Sequence, residues 1–241
     1  MPDRVSIGNI DLKVYVDWAP PPFDPADFFD VPLHAWDPYK KDHLDSNGKF
    51  NTNFCAWLLR APGQTILVDT GIGPDNGGQL LNLLINDGIK PEDIDTVVIT
   101  HFHGDHLGWT VIRDDGLTKP TFPNARYIMP QRDWDYFTQP DVIKEEEIVL
   151  NTVVALNELS LVDLVGDEFS IIPEVTTLAT PGHTPGHISL MIVSQGEHGV
   201  IVGDLFHGSV QVSEPEWCAI FDMDKPLARQ TRNALFERLE Q

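Results

Sequence analysis

The chain has 241 residues, and its 37 acidic and 16 basic side chains give a formal net charge of −21 at pH 7. So acidic a surface repels nucleic-acid phosphates and anionic lipids, and we expect neither nucleic acid nor membrane as a partner. No apolar run approaches the roughly 20 residues of a membrane helix, and the N-terminus lacks the apolar core of a secretory signal, so a cytoplasmic protein is predicted.

The first 50 residues are predicted to be an irregular segment that packs on the rest of the chain. The stretch "WAPPPFDPADFFDVPLHAWDP", residues 18–38, has too many prolines for a helix or a central strand. Its aromatic side chains fit two interpretations, a lid over a site or a surface wrap. Together with Trp109, they are also candidates to line an apolar pocket.

Strands and helices interleave from residue 53 onward. Alternating and β-branched runs predict strands at "NFCAWLLRA", "TILVDTG", "TVVIT", "ARYIMP", "VTTLAT", "ISLMIV" and "GVIVGD". Helical spacing predicts helices at "GGQLLNLLINDG", "PQRDWDYF", "DVIKEEEIVLNTVVALNEL" and "PLARQTRNALFERLEQ". In the last helix an apolar stripe is expected to face the core, formed by Leu227, Thr231, Leu235 and Leu239. This interleaving favours a single α/β domain, residues 1–241, in which helices cover layers of sheet.

Three histidines and an aspartate lie within six residues of "THFHGDHLGW", directly after the predicted strand "TVVIT". Because side chains alternate along a strand, His101 and His103 point the same way. Gly104 permits a tight turn that brings Asp105 and His106 toward the same volume. Imidazoles and a carboxylate that converge at a strand end predict a site for a divalent metal of borderline softness.

Further ligands are expected from two later strand ends. The stretch "LATPGHTPGHISL" offers His183 and His187, and "VIVGDLFHG" offers Asp204. An aspartate at a strand end also has an ordinary interpretation as a turn or helix cap. The two cysteines, Cys55 and Cys218, suggest no disulfide framework, and we interpret both as buried small apolar residues.

These motifs resemble the metallo-β-lactamase superfamily, from about Asn53 to Asp222, and "ILVDTG" matches the first motif of that family. The resemblance implies an αββα four-layer sandwich. Within the superfamily, "ITHFHGDHLGW", "FPNARYIM" and "GDLFHGSVQV" are most similar to the branch of N-acyl homoserine lactonases and methyl parathion hydrolase.

The resemblance also implies a set of ligands for two divalent metal ions. His101, His103 and His183 would bind the first ion, and Asp105 and His106 would bind the second. Zn²⁺ is the expected metal, although Mn²⁺, Co²⁺ and Fe²⁺ suit the same ligands.

Four further roles follow from the same resemblance. Asp204 would bridge both ions and steer a proton toward the leaving group, and Asp69 would orient the ligand loop or a ligand histidine. His187 would support its turn rather than bind metal. His207 is a candidate donor of a hydrogen bond to the substrate, so the catalytic candidates are Asp105, Asp204 and His207.

One departure from the family concerns the C-terminus. Relatives usually complete the second metal site with a histidine after the last long helix, whereas this sequence stops at Gln241, at the end of that predicted helix. We favour a truncated C-terminal end as the explanation. Replacement of the missing ligand by His207 is the alternative.

The implied function is a metal-dependent hydrolase that uses a metal-bridging hydroxide on lactones or esters, with phosphotriesters as a further substrate class. Three alternatives stay open: a mononuclear-iron persulfide dioxygenase, a thiolester hydrolase of the glyoxalase II type, and a member that only binds. Phe102 stands where the glyoxalase II type has an additional histidine. The expected partner is a small-molecule substrate, and a homodimer is left open.

Overall fold

Two β-sheets form the centre of the protein, for which a computed structural model describes residues 3–115 and 117–240. The strands are β1 (Arg4–Ile7), β2 (Ile10–Trp18), β3 (Phe54–Ala61), β4 (Gln64–Val68), β5 (Thr96–Val98), β6 (Val111–Asp114), β7 (Leu117–Pro120), β8 (Arg126–Pro130), β9 (Val162–Val165), β10 (Ser170–Ile172), β11 (Val175–Ala179), β12 (Ile188–Ser194) and β13 (Glu197–Ile201). The larger sheet has the order β1-β2-β3-β4-β5-β8-β9, and the smaller one has the order β10-β11-β12-β13.

The two sheets differ in the direction of their strands. β1 to β4 form an antiparallel meander, after which β5, β8 and β9 add in parallel. The smaller sheet is antiparallel throughout, and β6 and β7 form a separate hairpin. In parallel strands the carboxyl ends meet at one edge, and the histidine cluster follows β5 at that edge.

The helices cover the sheets and fill the connections between strands. They are α1 (Pro25–Phe28), α2 (Lys40–His43), α3 (Leu80–Asn86), α4 (Gly104–Leu107), α5 (Gln131–Phe137), α6 (Glu147–Val149), α7 (Ala155–Glu158), α8 (Val210–Ser213) and α9 (Lys225–Leu239). A π-helical segment, Leu150–Val154, joins α6 to α7. None of the helices in the described ranges is long and apolar enough to cross a membrane.

Alternation along the strands builds two cores on opposite faces of the larger sheet. Leu67 of β4 contributes to the core shared with α3 and α5, whereas its neighbours Ile66 and Val68 contribute to the other one. That second core lies between the sheets, where it includes Ile188 and Leu190 of β12. The helix, sheet and sheet layers predicted from the sequence are confirmed, and α9 packs at the strand-end loops of the smaller sheet.

The expectation of an irregular segment over residues 1–50 is wrong for residues 4–18, which form β1 and β2. Ile10 and Leu12 alternate with polar residues and turn toward the core between the sheets, so β2 pairs with β3 for most of its length. Residues 19–53 contain only short helical turns and isolated bridges. Their aromatic residues form a cluster that packs against the segment around Trp217.

Two predicted helices also differ from the structure, one in where it begins and the other in which face is buried. The stretch predicted as one helix over residues 141–159 is helical only from Glu147, because the residues before it form turns. In α9 the buried face is formed by Ala228, Arg232 and Leu235, while Leu239 is exposed. The buried face therefore shares only Leu235 with the predicted stripe, and Arg232 lies at its centre, between Ala228 and Leu235 in the sequence.

Candidate metal centre

Strand ends from both sheets bring the predicted donors together. His101 and His103 follow β5, and α4 carries Asp105 and His106 one turn later. His183 lies in the loop between β11 and β12, and Asp204 lies in the helical turn after β13. All six predicted ligands therefore reach the same region, although they span more than 100 positions of the chain.

The first donor group consists of three imidazoles. His103 Nδ1 lies 3.2 Å from His101 Nε2 and 2.8 Å from His183 Nε2. Burial and the neighbouring histidines hold the pKa of His101 well below its ordinary value and lower that of His103 to about 3. Three imidazole nitrogens that face one another without intervening acceptors suit a divalent metal ion, which imidazole binds through a ring nitrogen.

The second donor group contains His106 and two carboxylates. His106 Nε2 lies 3.6 Å from Asp105 Oδ2 and 3.5 Å from Asp204 Oδ2. Burial alone would lower the pKa of His106, but the carboxylates of Asp69, Asp204 and Asp105 raise it well above the ordinary value. Such concentrated negative charge around one imidazole is the environment that a cation offsets.

Asp204 lies between the two groups. Its Oδ2 atom is 3.5 Å from Nε2 of both His106 and His183, so one oxygen faces both sets of histidines. Two ligands about 2.1 Å from a tetrahedral zinc ion stand about 3.4 Å apart, which matches these separations. The donor set therefore fits divalent metal ions in both chemistry and spacing.

His187 holds the backbone of Asp204 in place. Its Nε2 accepts the Asp204 N–H at 3.0 Å, and its Nδ1 lies 2.8 Å from Thr180 Oγ1. Gly203, with φ of 54°, makes this approach feasible, because a Cβ there would lie 2.7 Å from His187 Nε2. Both ring nitrogens of His187 thus have protein partners, in keeping with the predicted support of the turn.

Asp69 anchors the first histidine loop. Its Oδ1 accepts the Thr100 N–H at 2.8 Å, and its Oδ2 lies 2.8 Å from His106 Nδ1. The residue has φ of 60°, in the left-handed region where aspartate is tolerated better than most side chains. The carboxylate therefore fixes both the loop and the orientation of one imidazole, as the sequence predicts for Asp69.

Two supporting residues of His183 escaped sequence analysis. Asp222 Oδ1 lies 3.0 Å from His183 Nδ1, and Asp222 Oδ2 lies 3.5 Å from Arg232 Nη1 on α9. Both members of this ion pair are fully buried. Arg232 also donates to the carbonyl oxygens of Pro215 and Leu205, so α9 fixes the segment that supports His183.

Asp133 is a third supporting residue that the sequence did not reveal. This buried carboxylate accepts the Phe102 N–H at 3.0 Å and the Gly186 N–H at 2.6 Å, and the Thr184 hydroxyl donates to it at 2.8 Å. It therefore connects the loop of His101 and His103 to the loop of His183. In the sequence it is one of two aspartates in an ordinary amphipathic helix, which gives no signal of this role.

A cavity of about 590 Å³ opens above the donors. Six of its lining residues are phenylalanine or tryptophan: Phe23, Phe28, Phe54, Trp57, Phe206 and Phe221. The prolyl and aromatic N-terminal segment thus contributes Phe23 and Phe28 to the wall, as predicted for its aromatic residues. Trp109 does not line the cavity, because its indole is buried and donates to Asp17 Oδ1 at 3.0 Å.

Cys55 also lines this cavity, so the expectation that both cysteines are buried is wrong for Cys55 and confirmed for Cys218. Burial raises the pKa of the Cys55 thiol to about 11, so this thiol stays protonated at neutral pH. The third residue proposed as catalytic, His207, lines the cavity as well.

Comparison with known proteins agrees with this geometry. Residues 56–239 match the model of the metallo-beta-lactamase superfamily. An N-acyl homoserine lactonase from a Bacillus species is 29% identical over 169 residues, which cover 61% of this chain and 61% of the relative. The N-acyl homoserine lactonase AttM of Azorhizobium caulinodans is 31% identical over 109 residues, 44% of this chain and 38% of the relative. The chain thus spans under two thirds of the length of these relatives.

Two solved structures share the fold over nearly the whole chain. The hydrolase AbOPH of the β-lactamase superfamily has a TM-score of 0.82 at 25% identity, covering 98% of this chain and 84% of its own. AidC, a dizinc quorum-quenching lactonase, has a TM-score of 0.82 at 21% identity, covering 98% and 85%. The chain belongs to the metallo-β-lactamase superfamily, whose members are hydrolases that bind divalent metal ions.

Proposed function

We propose that this protein hydrolyses lactones and related carboxylic esters at a centre of two divalent metal ions, with Zn²⁺ preferred. The observation that carries the proposal is the position of Asp204, whose Oδ2 faces His106 on one side and His183 on the other at 3.5 Å each. A carboxylate between two donor groups is the arrangement that holds two ions at a fixed separation.

His101, His103 and His183 would hold the first ion, and Asp105 and His106 would hold the second. Bound ions of this kind polarise a carbonyl oxygen and lower the pKa of water to about 7, which makes a serine or cysteine nucleophile unnecessary. In keeping with this, the sequence has no Gly-x-Ser-x-Gly motif, and the thiol of Cys55 is protonated.

The carboxylates near the cavity are suited to move a proton. Asp105 lines the cavity. A carboxylate in this position can accept a proton from water and carry it to the alkoxide that leaves when a ring ester opens. Asp204, whose pKa His106 holds well below the ordinary value despite burial, stays ionised and fixes the donors, so we propose Asp105, rather than Asp204 as predicted from the sequence, as the carrier of this proton.

The shape of the cavity favours a substrate with an apolar substituent. Phe23 and Phe28 from the N-terminal segment line this cavity of about 590 Å³ together with Phe206 and Phe221 from the C-terminal half, and the rings of Phe28 and Phe221 are in contact, with centroids 5.6 Å apart. Aromatic walls above a polar floor suit an acyl chain next to a hydrolysable ester. N-acyl homoserine lactones combine both parts, and the lactonase relatives support this class.

The test is a substrate panel on zinc-loaded protein, with initial rates followed by proton release. We expect the highest kcat/KM for N-decanoyl homoserine lactone, a lower one for the N-butanoyl homologue, and loss of both rates on chelation with recovery on Zn²⁺ addition. We expect His103→Ala to lose activity. The matched control is His198→Ala, at an exposed histidine, which should keep it. Faster turnover of a thiolester would instead support a hydrolase of the glyoxalase II type, and oxygen consumption with a persulfide would support a persulfide dioxygenase.

A phosphotriester such as paraoxon belongs in the same panel. Its phosphoryl oxygen needs the same polarisation by bound metal ions as a carbonyl oxygen does, but its aryl leaving group needs no protonation. We expect Asp105→Asn to lower the lactone rate more than the phosphotriester rate, because only the alkoxide leaving group needs the proton. Equal losses for both substrates would contradict the proton-transfer role of Asp105.

A further inference from the structure

His207 is buried beside the donors and has no hydrogen-bond partner for its ring. Its side chain is 6% exposed, and within the described ranges neither Nδ1 nor Nε2 has a partner. Its ring packs edge-on against Phe28 and His183, with centroid distances of 5.8 and 4.8 Å. A buried imidazole without a partner costs free energy, so a group that occupies its lone pair is needed to stabilise the arrangement.

The distances of His207 match those of the other donors. Its Nε2 lies 3.5 Å from Asp204 Oδ2, the same separation that His106 Nε2 and His183 Nε2 have from this oxygen. One donor atom each of His183, Asp204 and His207 lies within 4.8 Å of the others. Ligands of a tetrahedral zinc ion stand about 3.4 Å apart. By this distance, Nε2 of His207 is placed as well for metal binding as Nε2 of His106 and Nε2 of His183.

The backbone holds His207 in this position. Its N–H donates to Oε1 of the buried Gln211 at 2.7 Å, and Gln211 in turn donates to the Trp217 carbonyl oxygen at 2.8 Å. The ring is therefore held in place beside the donors by contacts that do not involve its own nitrogens.

We propose that His207 is a direct metal ligand, a seventh donor that binds a divalent ion together with His183 and Asp204. This role takes up the alternative that the sequence left open for His207 and replaces the substrate contact also predicted for it, and it rests on the proposed metal centre but not on the proposed substrate. It also gives the site a further donor that comes from within the described chain.

Two variants separate a ligand from a substrate contact. His207→Phe keeps an aromatic ring of similar size but has no donor atom, and His207→Gln keeps a hydrogen-bond donor but is a poor ligand for zinc. The matched controls are His198→Phe and His198→Gln, because His198 lies exposed on β13 and away from the donors. All are prepared metal-free, and folding is checked by circular dichroism and thermal melting.

The readouts contain no substrate. Zn²⁺ affinity is measured by competition with a chromophoric chelator, and the ligand-field spectrum of the Co²⁺-loaded protein reports the coordination. We expect both His207 variants to lose affinity for one ion by at least the roughly 10–100-fold that loss of an outer partner costs, with a changed Co²⁺ spectrum. The His198 variants should match the unaltered protein. Affinity and spectrum unchanged in both His207 variants would overturn the proposal.

X-ray absorption at the zinc edge covers the case in which a variant does not fold. For the unaltered protein loaded with Zn²⁺, ligation by His207 predicts one more imidazole per chain than the four predicted ligand histidines provide, and four imidazoles would overturn it. Weakened metal binding in the variants without lactone turnover in the unaltered protein would refute only the proposed substrate. Intact metal binding in the variants with lactone turnover would refute only ligation by His207.

Discussion

The two halves of the metal centre are built in different ways. The donors after β5 are local, since His101, His103, Asp105 and His106 lie within six positions at the end of one strand. His183 and Asp204 are separated by 21 positions and reach the site through two strands of the smaller sheet, β12 and β13. The donors after β5 are placed by one strand and a glycine turn and are anchored by Asp69 and Asp133, whereas His183 and Asp204 meet only through tertiary contacts.

The supports of the two halves differ accordingly. Asp69, itself part of a sequence motif, holds Thr100 and His106. His183 is held by Asp222, which in turn lies next to Arg232 from the distant helix α9. The comparison predicts that the donors after β5 withstand changes elsewhere in the chain, whereas His183 and Asp204 respond to changes in α9.

Removal of a direct donor should have the largest effect, and it should be equal in the two halves. His103→Ala and His183→Ala each remove one of three imidazoles of the same group, so both should lose the first ion. We expect metal affinity to fall by more than the roughly 10–100-fold typical of outer partners. The measurement is chelator competition on the two variants side by side. A large loss in one and a wild-type affinity in the other would break the grouping of these histidines.

The next largest effect is expected from loss of Arg232, and it should arise in the half of the metal centre that contains His183 and Asp204. Arg232→Met leaves the Asp222 carboxylate buried without its cation, which typically costs about 3–5 kcal/mol of unfolding free energy. Urea unfolding of the metal-free protein measures this loss. The matched control is Arg229→Met on the same helix, whose partly exposed side chain should change stability by less than about 1 kcal/mol. Equal effects of the two substitutions would contradict the account.

Substitution of each of the two supporting aspartates should weaken the binding of a different ion. Asp69→Asn should weaken the ion bound by His106, and Asp222→Asn should weaken the ion bound by His183, each by roughly 10–100-fold. Asparagine tolerates the φ of 60° at position 69, so the first variant tests the charge rather than the backbone. A two-site fit to zinc competition data distinguishes the ions. If both variants weaken the same ion, the assignment of one support to each half is wrong.

The last prediction concerns the pH dependence of stability without metal. Burial lowers the pKa of His103 to about 3 and that of His207 to about 4, from an ordinary value of 6.5. The unfolded chain therefore binds more protons below pH 6.5, so stability is complete above that pH and is lost as the pH falls toward 4. Each histidine contributes roughly 1.4 kcal/mol per pH unit within this window.

Urea unfolding between pH 7 and pH 4.5 measures this slope. His207→Phe should reduce the slope, whereas the exposed His198→Phe should leave it unchanged. A slope that is the same in His207→Phe and in the unaltered protein would show that His207 is not held neutral by burial.

Local patterns account for what the sequence predicted well. The strand before His101, the glycine turn after His103 and the strand before Asp204 are all visible as short runs of residues. The strand β2 was also visible as alternation in "IDLKVYVDW", but its prolyl neighbours obscured it. The resemblance to a known family added the roles of residues that lie far apart in the chain.

The supports could not be predicted for a physical reason. Asp133, Asp222 and Arg232 act through contacts with loops that are distant in sequence, and their neighbours show no spacing related to those contacts. Arg232 even contradicts the local pattern, because an arginine on a helix is ordinarily assigned to the solvent side. Only the folded arrangement shows that its guanidinium has several acceptors in the core.

Metal content per chain, measured by mass spectrometry on protein purified without chelator, tests the central claim most directly. The account predicts close to two divalent ions per chain, and loss of one of them on substitution of His183. Close to one ion, or none after reloading with Zn²⁺, would contradict a centre in which Asp204 joins two groups of donors.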